Sequence, residues 1–265
     1  MSTESTRPSL VNPILHSKWD GLSPHLIASF WPVERAGSGS HYWRKIEGRP
    51  TIQAPLTEAN IEMTLGWQSP FENAGADKGV PAISSMLQSG AIQPWVGDGK
   101  GKDFVGKFEG RTGITKLNST QVFAGMPPVK IQAVALFRAW SDPVAEVMNP
   151  VMQLIQWALP QELAPDGPIM SLLSAAKAVA EGKPLDEASA RALLPSIAPA
   201  KIAMKYKGTL YSPMVIESIG YPIGSPVDSN GNHVELVVPL TLCSLAAIDR
   251  ADWQRATSGR QGFTV

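Results

Sequence analysis

Cysteine occurs once in 265 residues. A single thiol excludes an intramolecular disulfide and any cysteine-based metal cluster, and it suits a reducing compartment. Cys243 falls inside an apolar run and reads as buried packing. Charge is also sparse: 17% of residues are charged, and 23 Lys and Arg offset 23 Asp and Glu, for a formal net charge of zero. That balance argues against a generic nucleic-acid binder and favours association over colloidal repulsion. No apolar run approaches the roughly 20 residues of a membrane-spanning helix. The opening Met1-Ser2-Thr3-Glu4 has no apolar h-region, so synthesis and folding in the cytoplasm are expected.

The usual parts of an active site are missing as well. The four histidines, His16, His25, His41 and His233, are scattered, and none has a partner at the spacing of a helical metal site. No serine stands in G-x-S-x-G, and neither a phosphate-binding GxxxxGK[ST] nor a strand-following GxGxxG occurs. The glycines of Gly97 to Gly101 read as a mobile loop. Glu58 and Glu62 would share one side of a strand, where a pair of carboxylates for sugar cleavage is conceivable but a solvated face is the plainer reading. The sequence therefore implies no catalytic residue, no metal and no cofactor.

Hydrophobic residues make up 43% of the chain, enough for a core and too many for intrinsic disorder. Glycine and proline, 23 each, fall as punctuation between short periodic segments, the texture of a many-turned β protein. The charges are segregated. Basic residues dominate from Gly97 to Lys130, whereas seven acids face Lys177 and Lys183 between Ser141 and Ala190. Separate basic and acidic regions allow copies, or complementary neighbours, to stack.

Residues 1–50, with Trp19, Trp31 and Trp43, read as an extended N-terminal arm whose tryptophans need burial in this subunit or the next. Deleting them should then leave a folded subunit. Residues 51–265 form a β-rich domain. Ile61, Met63, Leu65 and Trp67 alternate with polar or small residues and place a strand near 58–68 with one buried face. A short helix is expected over 81–88 and a strand over 104–108. A long apolar strand follows over 129–140. Asp142-Pro143 opens a helix, an N-cap acid followed by proline at the first helical position, and Pro150 should kink or split it. Further helices over 168–181 and 186–195 complete a helical insertion, 142–199. Beyond it, Ile202, Met204 and Tyr206 alternate with Lys201, Lys205 and Lys207, a strand with a row of lysines turned to solvent or to an acidic partner. Strands over 214–219 and 234–245 follow, joined through the turn dipeptide Asn230-Gly231.

The stretch from Phe123 through Met126-Pro127-Pro128 and Arg138-Ala139-Trp140 to Pro143, continuing to Gln156-Trp157-Ala158-Leu159-Pro160, resembles tail and baseplate proteins of contractile-tailed bacteriophages. Tyr211 to Pro222 and Val234 to Ala246 look like the closing hairpin of the tail-tube-like fold, and Asn12-Pro13-Ile14-Leu15 with Trp19 looks like a docking arm. The resemblance implies a β-rich α+β fold, a tail-tube-like β-sandwich or barrel with a helical insertion and an extended N-terminal arm. It also implies a structural virion protein of the tail or baseplate, arranged with copies of itself in a sixfold ring. Its neighbours would be tail-tube, hub, sheath or wedge proteins, without specific nucleic acid and without a transmembrane segment. Trp19, Trp31, Trp43, Lys201, Lys205 and Lys207 are the expected contact residues. A sugar-binding module for host attachment and a cell-wall-cleaving enzyme carried in the tail are the alternatives.

Overall fold

The computed structural model describes residues 12–68, 120–163 and 196–264. The expected elements over 81–88, 104–108, 168–181 and 186–195 lie outside the described residues. The chain divides into two compact units, one of Met1–Met63 with Pro128–Val265 and one of Thr64–Pro127.

The larger unit is β-rich and built on one mixed sheet. Its strands are β1 (Ile14–His16), β2 (Ile27–Arg35), β3 (Trp43–Lys45) and β4 (Thr51–Glu62). In the smaller unit, β5 (Gly66–Gln68) pairs antiparallel with β6 (Val122–Gly125). The larger unit resumes with β7 (Lys130–Arg138), β8 (Ile202–Tyr206), β9 (Thr209–Ile219) and β10 (Glu235–Ser244). In the sheet, β4 pairs with β7, β7 with β10, β10 with β9, β9 with β8, β8 with β2, and β2 returns to β4, every pair antiparallel. The hydrogen-bonded circuit is thus closed. β1 adds to β4 in parallel, and β3 adds to β2.

Residues 12–50, expected as an extended arm, instead supply β1 to β3, and β2 is a member of the circuit. Ala28 and Phe30 of β2 are fully buried. The alternation in this segment is masked by the apolar Trp31 on the outward side and by Pro32 at an inward position, while the glycines after Ala36 read as an unstructured stretch. Those glycines belong to the short link into β3.

Alternation works as expected along β7 and β10. Ile131, Ala133, Ala135 and Phe137 point inward, and register sets them against Leu242, Leu240, Val238 and Leu236 respectively. A small side chain sits opposite a larger one at the two middle positions, which lets facing rows fill the interior evenly. The outward partners include Arg138 and Glu235, an ion pair in register across the two strands.

The strand expected over 58–68 is two elements. A register shift between Leu56 and Glu58 marks a bulge in β4. Before it, Ile52 and Ala54 are buried and pair with β2; after it, the strand continues along β7 alone. Ile61 is half-buried, while Met63, Leu65 and Trp67 are exposed, so the expected buried face does not exist there. Cys243 is likewise half-buried on the outer side of β10 rather than core packing.

The helix begins where Asp142-Pro143 places it: Asp142 Oδ1 accepts from the amides of Val144 (2.9 Å) and Ala145 (3.1 Å). Pro150 does not split the helix. A π-helical turn, Val144–Met148, runs directly into α1 (Asn149–Ala158), which puts Pro150 in the first turn of α1 but inside one continuous helical segment. Pro150 cannot donate to the carbonyl of Glu146 four residues earlier. Ser17 Oγ does so instead, at 2.9 Å, and accepts from the Arg138 amide at 3.1 Å. One buried hydroxyl thereby ties the segment after β1 to β7 and to the helix. Val147, Val151, Leu154 and Trp157 complete the same buried cluster as the strands. Ser17→Ala should cost about 1–3 kcal/mol, the penalty of stranding buried backbone groups, measured as a lower urea midpoint with an unchanged m-value.

Glu162 and Ile197 form an isolated antiparallel bridge, so the two ends of the 163–196 stretch lie side by side. The chain ends in α2 (Arg250–Thr257), which the sequence reading did not anticipate. Its start is a capping box: Asp249 accepts from the Asp252 amide, and Asp252 accepts from the Asp249 amide. Asp252 Oδ1 also accepts from the amide (2.9 Å) and hydroxyl (2.7 Å) of Thr264, and Phe263 is buried with its amide bonded to Ser212 O at 2.6 Å. Gly262 makes this docking possible, because a Cβ there would collide with the Ser212 backbone. Gly262→Ala should release this segment, detected as faster limited proteolysis beyond Thr257.

Candidate interaction surface

The outer face of the circuit around β2, β3 and β8 gathers most of the contact residues expected from sequence. Inward Ala28 and Phe30 leave Ser29 and Trp31 facing outward. Register places Trp31 opposite Ala203 and Ser29 opposite Lys205. Ala203 lies on the lysine side of β8 yet is buried; its methyl is the direct neighbour of the Trp31 indole. Lys45 Nζ sits 5.7 Å from the centre of the Trp31 ring. Burial lowers the Lys45 pKa.

Trp43 pairs with Arg35 across β3 and β2. The Arg35 guanidinium lies 5.1 Å from the centre of its ring and Lys201 Nζ 5.5 Å, so Trp43 carries two cations. Such contacts are worth about 0.5–1 kcal/mol each at exposed positions. A sugar ring stacking on Trp43 would compete with these cations for the ring. Beside Trp43 opens a cleft of about 510 Å³ between β2–β3, α1 and the 197–201 segment, with Gln153, Gln156 and Arg49 on its walls.

Of the six expected contact residues, the structure joins Trp43 with Lys201 and places Trp31 and Lys205 on one sheet face. Lys207 leaves the strand. It occupies the turn Lys207-Gly208 between β8 and β9 with φ 47°, its ammonium 5.2 Å from the Tyr206 ring centre. The left-handed backbone there favours Asn or Gly over Lys, so Lys207→Asn should stabilise the fold by about 0.5–1 kcal/mol, read from a chemical melt. Trp19 opens a turn closed by the Leu22 amide on its carbonyl, at 3.1 Å, and belongs to none of these three strands. Arg35 and Lys45 were missed: they lie outside the lysine row, and only the pairing of β2 with β3 brings them over the tryptophans.

Two further features bear on function. Glu58 and Glu62 are exposed on β4, in register with Val134 and Lys130. No group of three or more His, Cys, Asp or Glu able to hold a metal is found among the described residues. In the smaller unit, Trp67 of β5 and Phe123 of β6 meet edge to face at 5.4 Å between ring centres, and both are about half exposed, as are Leu65 and Val122.

No known protein family matches the chain, and no curated protein matches it. Among the described residues, no helix is long and apolar enough to cross a membrane.

Proposed function

We propose that the chain is a structural virion protein of a contractile phage tail, forming a sixfold ring at the junction of baseplate hub and tail tube and linking tube, hub and sheath or wedge. In this reading the closed antiparallel circuit is a tail-tube-like barrel, the protein is made in the bacterial cytoplasm, and its role is assembly rather than catalysis. The observation that carries the proposal is the β5–β6 ribbon, where Leu65, Trp67, Val122 and Phe123 present large apolar surface. Aromatic anchors of this kind dominate binding energy at protein interfaces. The neutral net charge suits a subunit whose surface is mostly covered by neighbours. The likeness of the 123–143 segment to tail and baseplate proteins gives the proposal its specific form.

The test is a quantitative peptide count on purified contractile particles, with tube, sheath and hub proteins as internal standards. A copy number of one sixfold ring, or a small multiple, supports the proposal. Absence from intact particles overturns it. A second arm uses Trp67→Ala with Phe123→Ala, expected to leave the larger unit folded and to exclude the protein from particles.

A further inference from the structure

We infer that the cleft between β3 and α1 is a docking site for an acidic, extended peptide segment of a partner protein. Arg35 and Lys201 lie 5.1 and 5.5 Å from the centre of the Trp43 ring, and Arg49 lines the same cleft. Arg35 Nη1 donates to Ser40 O at 2.7 Å, so Arg49 and Lys201 are the cations the site offers a ligand. Glu34, the acid among the described lining residues, is engaged by Arg44 at 2.8 Å. The described lining is therefore cationic on a chain whose net charge is zero, and a complementary partner brings carboxylates.

The opposite wall is amidic. Gln153 Nε2 donates to Gln156 Oε1 at 3.2 Å, which leaves the Gln153 oxygen to accept and the Gln156 nitrogen to donate. An extended backbone offers both complements. At about 510 Å³ the cleft accommodates a few residues of extended chain.

Two rival anions fit less well. An acidic sugar or a single-stranded nucleic acid gains much of its affinity from stacking on an open aromatic face. Here a base or sugar on Trp43 would compete with the Arg35 and Lys201 cations for the ring, and Trp157 is 6% exposed. Carboxylates on a flexible chain need no such platform; they need cations held in place, and stacking on Trp43 holds the guanidinium and ammonium.

The inference stands on the cleft alone. Its test uses the purified full chain and a fluorescently labelled oligoglutamate peptide, followed by anisotropy at low ionic strength, with oligoglutamine as the uncharged control. Saturable oligoglutamate binding that weakens with added salt is expected. The double variant Arg49→Glu with Lys201→Glu should raise Kd about tenfold or more. Arg49→Gln with Lys201→Gln, which introduces no repulsion, should weaken binding in the same direction. Lys205→Gln, at an exposed residue outside the cleft lining, should leave Kd within about twofold in about 0.1 M salt, where the Debye length is about 10 Å. Absence of binding overturns the inference. So does equal loss in the Lys205 variant, or tighter binding of polygalacturonate or oligo-dT than of oligoglutamate. A failed titration leaves the particle count unaffected, and the count leaves the titration unaffected, so the two proposals fail separately.

Discussion

A chain beginning at Pro50 is expected to be unfolded. The deletion removes β2 and with it both seams that β2 makes, to β4 and to β8. Losing the Phe30 side chain alone is a large-to-small core change of about 3–5 kcal/mol, and the deletion also strips Ala28 and Val33 from the interior. Opening the circuit further strands the edge amides and carbonyls of Ile202 to Lys205. Against a typical net stability of about 5–15 kcal/mol, no folded state should survive. The readouts are near-ultraviolet circular dichroism and a urea melt. A truncated protein that keeps a cooperative melt and a native near-ultraviolet signal would show that β2 is dispensable. The sequence reading, which treated these residues as an arm, predicted that second result.

Glu146→Ala is expected to cost about 3 kcal/mol or more, from three stranded amides and a hydroxyl. The carboxylate is nearly buried at the corner between β7 and α1. It accepts from the amides of Trp140 (2.8 Å), Ser141 (3.2 Å) and Asp142 (3.2 Å) and from Ser141 Oγ (2.6 Å). Burial pushes its pKa up, but the Ser141 hydroxyl and the three amides outweigh burial and hold the pKa down at about 2. A carboxyl held below its usual 4.5 contributes fully above that value and loses its contribution as pH falls toward about 2. Asp252 behaves alike: burial raises its pKa, but the Thr264 amide and hydroxyl, then the Asp249 amide and Arg255, bring it to about 2. Acid unfolding should therefore steepen below pH 4.5. Glu146→Gln should lower the urea midpoint at neutral pH and flatten its fall between pH 4.5 and 2, leaving the share that belongs to Asp252. An unchanged acid slope in Glu146→Gln would remove Glu146 from this account.

Much of the sheet was legible because period-two alternation survives wherever one face is buried. β7, β8 and β10 are strands of this kind, and each was placed within a few residues. The Asp142-Pro143 helix start was equally legible, being purely local chemistry. What failed was long-range. Whether Ser29-Phe30-Trp31 forms an arm or a closing strand depends on pairing with residues near 204, which no local pattern encodes. The split at Met63 depends on where pairing with β7 ends, at Glu62 opposite Lys130, and the harmlessness of Pro150 depends on Ser17 reaching the Glu146 carbonyl. At the interaction surface, the lysine row and Trp43 were legible as residue types. Their convergence was not, because Lys201 and Trp43 meet through β2, which each flanks separately.

The closed circuit also constrains the order in which the molecule can be made. β2 is synthesised early, but its seam to β8 pairs Ser29 with Lys205, so the last gap cannot shut until most of the chain has left the ribosome. Pairings of such high sequence separation form slowly, since the entropy of closing the loop is lost before any contact compensates. During that interval β2 and β4 expose strand edges and the apolar side chains of Phe30 and Ile52, the surface on which nascent chains aggregate or recruit chaperones. For this architecture, the vulnerable stage of the protein's life is synthesis, before the ring of strands has met itself.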